Sequence, residues 1–196
     1  MGVRLTSPSD SFKTVWCKSG RVFSVVQRDV AFSNLHRVRW GSVHRIAEPK
    51  DLVMGTVKAV CMSSVKGIQK KPVPAVTLVK EHGIMGDAHA GKWHRQVSLL
   101  SSESIEDFKA RGADVDDGAF GENIVVEGFD LKSLPIGTKF ACNDVLLELT
   151  QIGKECHAHC AIYDQVGDCI MPREGVFTRV LREGTIAPGD TMEIVS

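Results

Sequence analysis

The sequence predicts a mainly β domain, a barrel or sandwich carrying a few short flanking helices, on three observations. Short runs rich in Val, Ile, Leu and Thr recur at 55–62, 75–79, 96–100, 123–127, 139–141, 145–150 and 191–195. Gly-Asp pairs at Gly86-Asp87, Gly167-Asp168 and Gly189-Asp190, with Pro135-Ile-Gly137 and Pro188-Gly189, punctuate these runs as tight turns. Helical spacing is confined to two stretches. In 102–111, Ser102 and Ser104 can cap an amphipathic turn, and in 175–183, Val176, Val180 and Phe177 fall on one face.

The first 53 residues lack sustained helical or alternating periodicity, and clear patterning starts at Met54. The division expected is therefore an N-terminal extension, 1–53, poorly ordered or dispensable, and one domain, 54–196. The extension is basic, Ser-containing and acid-poor, which also loosely fits a targeting segment or an ordered N-terminal element. It carries nine Lys/Arg against four Asp/Glu, leaving 15 against 20 for the rest, or +5 and −5 within a chain of zero formal charge. A −5 domain is poorly suited to a polyanion, so no nucleic-acid partner is expected. No apolar run approaches the roughly 20 residues that cross a bilayer, and no apolar h-region follows a basic start. A soluble, cytoplasmic protein without a membrane partner is expected. Six cysteines in 196 residues are too sparse and uneven for a secreted disulfide framework.

Half of those cysteines fall in one window: Gln151-Ile-Gly-Lys-Glu-Cys156-His-Ala-His-Cys160, then Cys169. Cys61 and Cys142 lie in apolar, strand-like runs and read as small buried hydrophobes. Cys156 and Cys160 are flanked by Lys154, Glu155, His157 and His159, a setting in which a cation or imidazolium lowers a thiol pKa. Thiolate with imidazole is also a zinc ligand set, so Cys156, Cys160, Cys169 and either histidine form an alternative structural zinc site in a scaffold module. Its Cys-x3-Cys spacing is less specific than paired knuckles.

Two further motifs are polar and Gly-rich. Gly83-Ile-Met-Gly-Asp-Ala-His-Ala-Gly91 places Asp87 and His89 in a loop that can approach a ligand or turn backbone N–H groups to an anion; a plain hairpin is the other reading. Phe120-Gly-Glu-Asn-Ile-Val-Val-Glu-Gly-Phe129 sets Glu122 and Asn123 at a strand's mouth, with no partner spacing for a two-carboxylate mechanism.

Taken in order, Gly83–Gly91, Arg95-Gln-Val-Ser-Leu, Phe120-Gly-Glu-Asn-Ile, Gln151…Cys156 and Gly175-Val-Phe-Thr-Arg-Val-Leu-Arg-Glu-Gly184 resemble the MOSC domain, the C-terminal domain type of molybdenum cofactor sulfurase. The resemblance runs from about residue 55 to 195. It implies a MOSC-type β-barrel and a role at molybdenum cofactor, with a cysteine that carries sulfur as a persulfide or ligates molybdenum. The family's cysteine falls on Cys156, although the related Gln-Pro-Arg-x-Pro-Cys is here Gln-Ile-Gly-Lys-Glu-Cys, so Cys169 and Cys160 stay open as the working thiol. A thiolate at Cys156 would be supported by Lys154 or Arg173. A pterin phosphate would call for charge-assisted donors, for which His89, Arg95, Arg173 and Arg179 are candidates, with Asp87 and Asn123 beside them. The resemblance is compatible with a molybdenum-dependent oxidoreductase and with a sulfurtransferase component. Either would need a separate partner: a sulfur donor of cysteine desulfurase type or a cofactor-biosynthesis protein, or a reductase.

Overall fold

The computed structural model describes residues 53–155, 162–163 and 167–195, together with the backbone of two strands nearer the N-terminus. The chain divides into two units, Met1–Ile46 and Ala47–Ser196. In the first, β1 (Phe12–Trp16) and β2 (Val22–Val26) pair antiparallel, Phe12 opposite Val26 and Trp16 opposite Val22. This pairing lies where the sequence shows only weak alternation.

The second unit contains β3 (Met54–Met62), β4 (Lys71–Val73), β5 (Val76–Val79), β6 (Gly83–Ile84), β7 (Val97–Ser101) and α1 (Ser102–Ala110). There follow β8 (Ile124–Glu127), a 3-10 turn at Leu131–Ser133, β9 (Lys139–Cys142), β10 (Val145–Ile152), α2 (Met171–Glu174), β11 (Val176–Arg182), β12 (Gly184–Ile186) and β13 (Thr191–Val195). Seven strands run in the order β13-β9-β10-β11-β7-β8-β3, and β13 pairs back onto β3, closing a barrel. Closure removes the unpaired edges that invite aggregation. β4 extends the sheet beyond β3, and β12-β5-β6 form a small separate sheet. All barrel neighbours are antiparallel except β7 and β8, which run parallel with Leu99 opposite Ile124. A parallel pair needs a crossover, and α1 starts that crossover directly from the end of β7.

Side chains alternate between two cores, as the two-residue period of a strand requires. Leu99, Ile124, Val126, Leu147, Leu149, Val176 and Val180 fill the barrel, whereas Leu100, Val125 and Phe177 face outward beneath α1. Ile105 and Phe108 of α1 are fully buried on that outer layer. Each such side chain contributes roughly 1.5–3 kcal/mol by burial.

The helix expected at 175–183 is a strand, β11, paired with both β10 and β7. The spacing of Val176 and Val180 suits either period, and because Phe177 is buried on the opposite face the polar alternation that marks a half-exposed strand is missing. The β-branched residues Val176, Thr178 and Val180 share the barrel face, where their stiff χ1 suits a strand. α1 stands as expected, one residue shorter. Ser101, rather than Ser102 or Ser104, is its N-cap residue and makes no capping bond, while its hydroxyl lies 2.6 Å from the Glu103 carboxylate. Ser104 instead donates to Glu174 at 2.7 Å.

Candidate functional site

A cleft of about 900 Å3 opens beside the β7–β8 pair. Its lining draws on the β3–β4 hairpin (Ile68, Lys70, Lys71), the stretch ahead of β7 (His89, Trp93, Arg95), the loop before β8 (Phe120, Gly121, Asn123) and the end of β10 (Lys154, Glu155), with Ser98, Met171 and Phe177. Cationic and aromatic groups thus share one concave surface, the type of lining that suits an anionic, planar ligand.

A charged network is built under this surface. Lys70 donates to both carboxylate oxygens of Asp87, at 3.1 and 2.9 Å, and both side chains are about 1% exposed. Asp87 also accepts the backbone N–H of His89 (2.9 Å) and of Ser63 (3.3 Å), and the Asn123 side-chain amide at 3.1 Å. Burial opposes ionisation of Asp87, but the His89 and Lys70 contacts outweigh it and hold the carboxyl well below the usual carboxylate range. Asn123 donates to the Cys61 carbonyl at 3.1 Å and accepts the Ser98 N–H at 3.2 Å, tying β3, β7 and the mouth of β8 together.

In the Gly83–Gly91 loop, Gly83 and Ile84 form β6 against β5, and turns follow. Four of its N–H groups bond to backbone carbonyls: Asp87 donates to Ile84, Ala90 to Asp87, Gly91 to His82, and Ala88 to Ser63. None of these four faces an anion. The His89 Nδ1 lies 3.6 Å from Asp87 Oδ1, and its ring is at the cleft wall.

Glu122 stands just ahead of β8, as expected, and is fully buried there, accepting the N–H of Gly118 (2.5 Å) and Phe120 (3.0 Å). It clasps the loop that forms one wall of the cleft. Burial pushes its carboxyl up to about 7, against the two backbone donors and with Asp117 adding to the rise. Burial likewise pushes the Cys61 thiol up to about 12, reinforced by Glu122 and Asp117, and Cys142 up to about 11. Neither thiol is a nucleophile at neutral pH, in keeping with their reading as core residues.

The remaining candidates scatter. His89, Arg95, Asn123 and Lys154 meet at the cleft, with Asp87 beneath it. Arg173 lies in a different cleft, of about 860 Å3, where it grips Asp168 through two 2.8 Å bonds. That contact with Arg173 holds the Asp168 carboxyl well below its usual range. Arg179, in the stretch expected to be a helix, is on a strand and pairs across to Glu148 of β10. Cys169 is buried in the outer core with Ile170 and Met171. Cys156 and Cys160 lie outside the described residues, as do His157 and His159 of the zinc alternative. Among the described residues no three His, Cys, Asp or Glu side chains are grouped to hold a metal. The approach to Cys156 is fixed by Gly153, whose N–H donates to the Gly175 carbonyl at 2.7 Å and whose φ is +67°. A Cβ there would collide with the Pro172 carbonyl oxygen.

Sequence reasoning missed Lys70, Ser98, Trp93, Phe120 and Phe177. A lysine in a hairpin tip carries no mark of burial, and only its Asp87 partner, 17 residues away, makes it a core group. The aromatics are separated by up to 84 residues and converge only through the barrel.

The profile of the MOSC domain matches residues 86–193. The uncharacterized protein YflK of Bacillus subtilis (strain 168) is 26% identical over 143 residues, covering 66% of this chain and 63% of that protein. The match thus spans less than two thirds of the relative's length. Among solved structures, YuaD from Bacillus subtilis aligns with a TM-score of 0.63 at 19% identity over 74% of this chain and 97% of that one. YiiM from Geobacillus stearothermophilus aligns at 0.57 and 23% identity over 72% and 75% of the two chains, and YiiM from Escherichia coli at 0.52 and 18% over 76% and 71%. These likenesses concern the fold. Among the described residues no helix is long and apolar enough to cross a membrane. With the domain profile spread over more than half of the sequence, and the barrel that positions this cleft lying largely within it, the chain belongs to the MOSC domain family, which is associated with molybdenum cofactor sulfurase.

Proposed function

We propose that the protein works on molybdenum cofactor, and that the thiol of Cys156 either carries sulfur as a persulfide or ligates molybdenum. The observation that carries this reading is the cation- and aromatic-lined cleft, whose wall includes Lys154, two residues before Cys156. The residues present fit such a group: Arg95, Lys71 and Lys154 complement an anion, and Ile68 and Phe120 offer apolar surface to a planar ring, Trp93 and Phe177 lying against the Arg95 guanidinium. The cofactor, when bound, supplies a redox-active metal.

As a sulfur carrier, the Cys156 thiolate attacks the outer sulfur of a donor persulfide, R–S–SH. A new S–S bond forms on Cys156, the donor's S–S bond breaks, and R–S⁻ leaves, so the exchange is redox-neutral. Lys154 supports the anionic sulfur before attack. Arg173, the other cation considered for that task, is held by Asp168. The donor is a separate protein of cysteine desulfurase type; in the oxidoreductase version of the reading, a separate reductase takes its place. The cytoplasm is the compartment that suits a reduced thiol.

Co-expression with an intact cofactor pathway, followed by metal, pterin and persulfide analysis, tests the reading. Wild-type protein is expected to carry molybdenum or a persulfide, and Cys156→Ser to lose it with an unchanged melting temperature. Normal loading in Cys156→Ser with loss in Cys169→Ser would move the role to the other thiol, and zinc at one per chain without molybdenum would overturn the proposal.

A further inference from the structure

Two acidic side chains come together behind the cleft wall with no free cation between them. Glu122 is fully buried, and its carboxylate oxygens accept the N–H groups of Gly118 and Phe120. Asp117, the residue before Gly118, lies close enough for its charge to oppose ionisation of Glu122, and its Oδ1 is buried with no hydrogen bond. From the β3–β4 hairpin, Lys70 and the Cys61 thiol act on the same carboxyl. Lys70 is already engaged by Asp87, and burial keeps Cys61 a neutral thiol.

A buried acceptor without a donor costs free energy, and two neighbouring carboxylates resist ionising together out of water. One proton answers both needs. Placed on Glu122, it removes a charge and gives Asp117 a donor, while the protonated carboxyl keeps lone pairs for its two N–H partners.

The loop that Glu122 clasps is a wall of the cleft. Ala119, Phe120 and Gly121 line the space, and the Gly118 carbonyl accepts the Lys70 N–H at 3.0 Å. A Cβ on Gly118 would collide with the Lys70 carbonyl oxygen and lie 3.2 Å from the Cβ of Cys61, so the loop sits flush on the hairpin and covers that thiol.

We propose that Glu122 and Asp117 share one proton and form a latch on the cleft wall, shut while the proton is held and loosened when it leaves. Opening the loop hydrates a carboxylate that the shut loop buries, and this hydration drives the release. Burial pushes the Glu122 carboxyl from 4.5 up to about 7, so the latch turns over near neutral pH. A value raised in the shut state favours that state at low pH, and the preference is lost as the pH rises through 7. The latch involves neither a cofactor nor Cys156.

Cys61, beneath the loop, is a built-in reporter, and Cys142, inside the barrel, reports unfolding of the whole domain. Labelling with N-ethylmaleimide is read from the masses of the two cysteine peptides and divided by the rate for the unfolded chain at the same pH. In wild type, Cys61 is expected to label faster than Cys142, and its corrected rate to rise at least about tenfold from pH 5.5 to 8. Glu122→Gln should open more readily at pH 5.5 and lose the pH dependence. Asp117→Asn should keep the dependence with its midpoint moved down, and Asp114→Asn, at an exposed carboxylate in the same loop, should leave the midpoint in place. Equal corrected rates at the two thiols, or a Cys61 rate in wild type that ignores pH, would overturn the latch. An unmoved midpoint in Asp117→Asn would overturn the shared proton, and that variant decides the matter should Glu122→Gln fail to fold.

Discussion

Lys70 and Asp87 show how a single pair can set the character of a surface. Two full charges taken out of water are tolerated only when each meets the other and the remaining lone pairs are filled, as the Ser63, His89 and Asn123 donors fill those of Asp87. Lys70→Met should therefore cost about 3–5 kcal/mol, read as a lower urea midpoint, because it strands a buried carboxylate. The depressed Asp87 pKa contributes stability that is present above its unfolded value, near 4, and is lost as the pH falls below that. Glu122 acts in the opposite sense. Its carboxyl is raised from 4.5 to about 7, so its contribution is complete below 4.5 and is lost as the pH rises to 7. Urea unfolding between pH 5 and 8 should show stability falling, by roughly 3 kcal/mol at most from this group. Glu122→Gln should flatten that slope and lower stability by about 1–3 kcal/mol near pH 5, since its NH2 faces an N–H that the carboxylate accepts, with the gap to wild type closing as the pH rises to 8.

Among the elements, exposure alone did not decide legibility, since β7, buried along its whole length, was read within a residue. β3, β10 and β13 could be read within a residue or two, because each has turn residues at its ends and at least one face that alternates in burial. β11 could not, since both its faces are buried over most of its length and the two-residue period disappears from the hydropathy. β4, β6 and β12 are two or three residues long, too short to show any period. The site was legible as a set of motifs but not as a partition of roles. His89, Arg95, Asn123 and Lys154 do meet, whereas Arg173 and Arg179 are taken by Asp168 and Glu148, partners 5 and 31 residues away that no local pattern announces. At this scale Gly153 is the position to test. Gly153→Ala forces a side chain into a left-handed backbone and against Pro172, and is expected to lower stability by about 1–3 kcal/mol, seen as a drop in melting temperature, and to weaken anion binding by displacing Lys154.

For the molecule as a whole, the family profile begins at residue 86 and the second compact unit at Ala47, both after the first strand pair in the sequence. Removal of residues 1–53 is expected to leave the melting temperature and the far-ultraviolet circular dichroism per residue of the barrel nearly unchanged; a collapse of the thermal transition would show that the extension is needed for the fold. The hydrogen bond from Gly153 to Gly175 has a wider consequence. It pins together the two roots of the excursion that bears Cys156, Cys160 and Cys169, and the barrel strands β10 and β11 carry on pairing from just outside it. Closing a longer detour between fixed roots adds entropy only with the logarithm of its length. Evolution can therefore rewrite this excursion as an exchangeable cassette, varying its prolines, histidines and spare thiols while the frame that presents it stays the same.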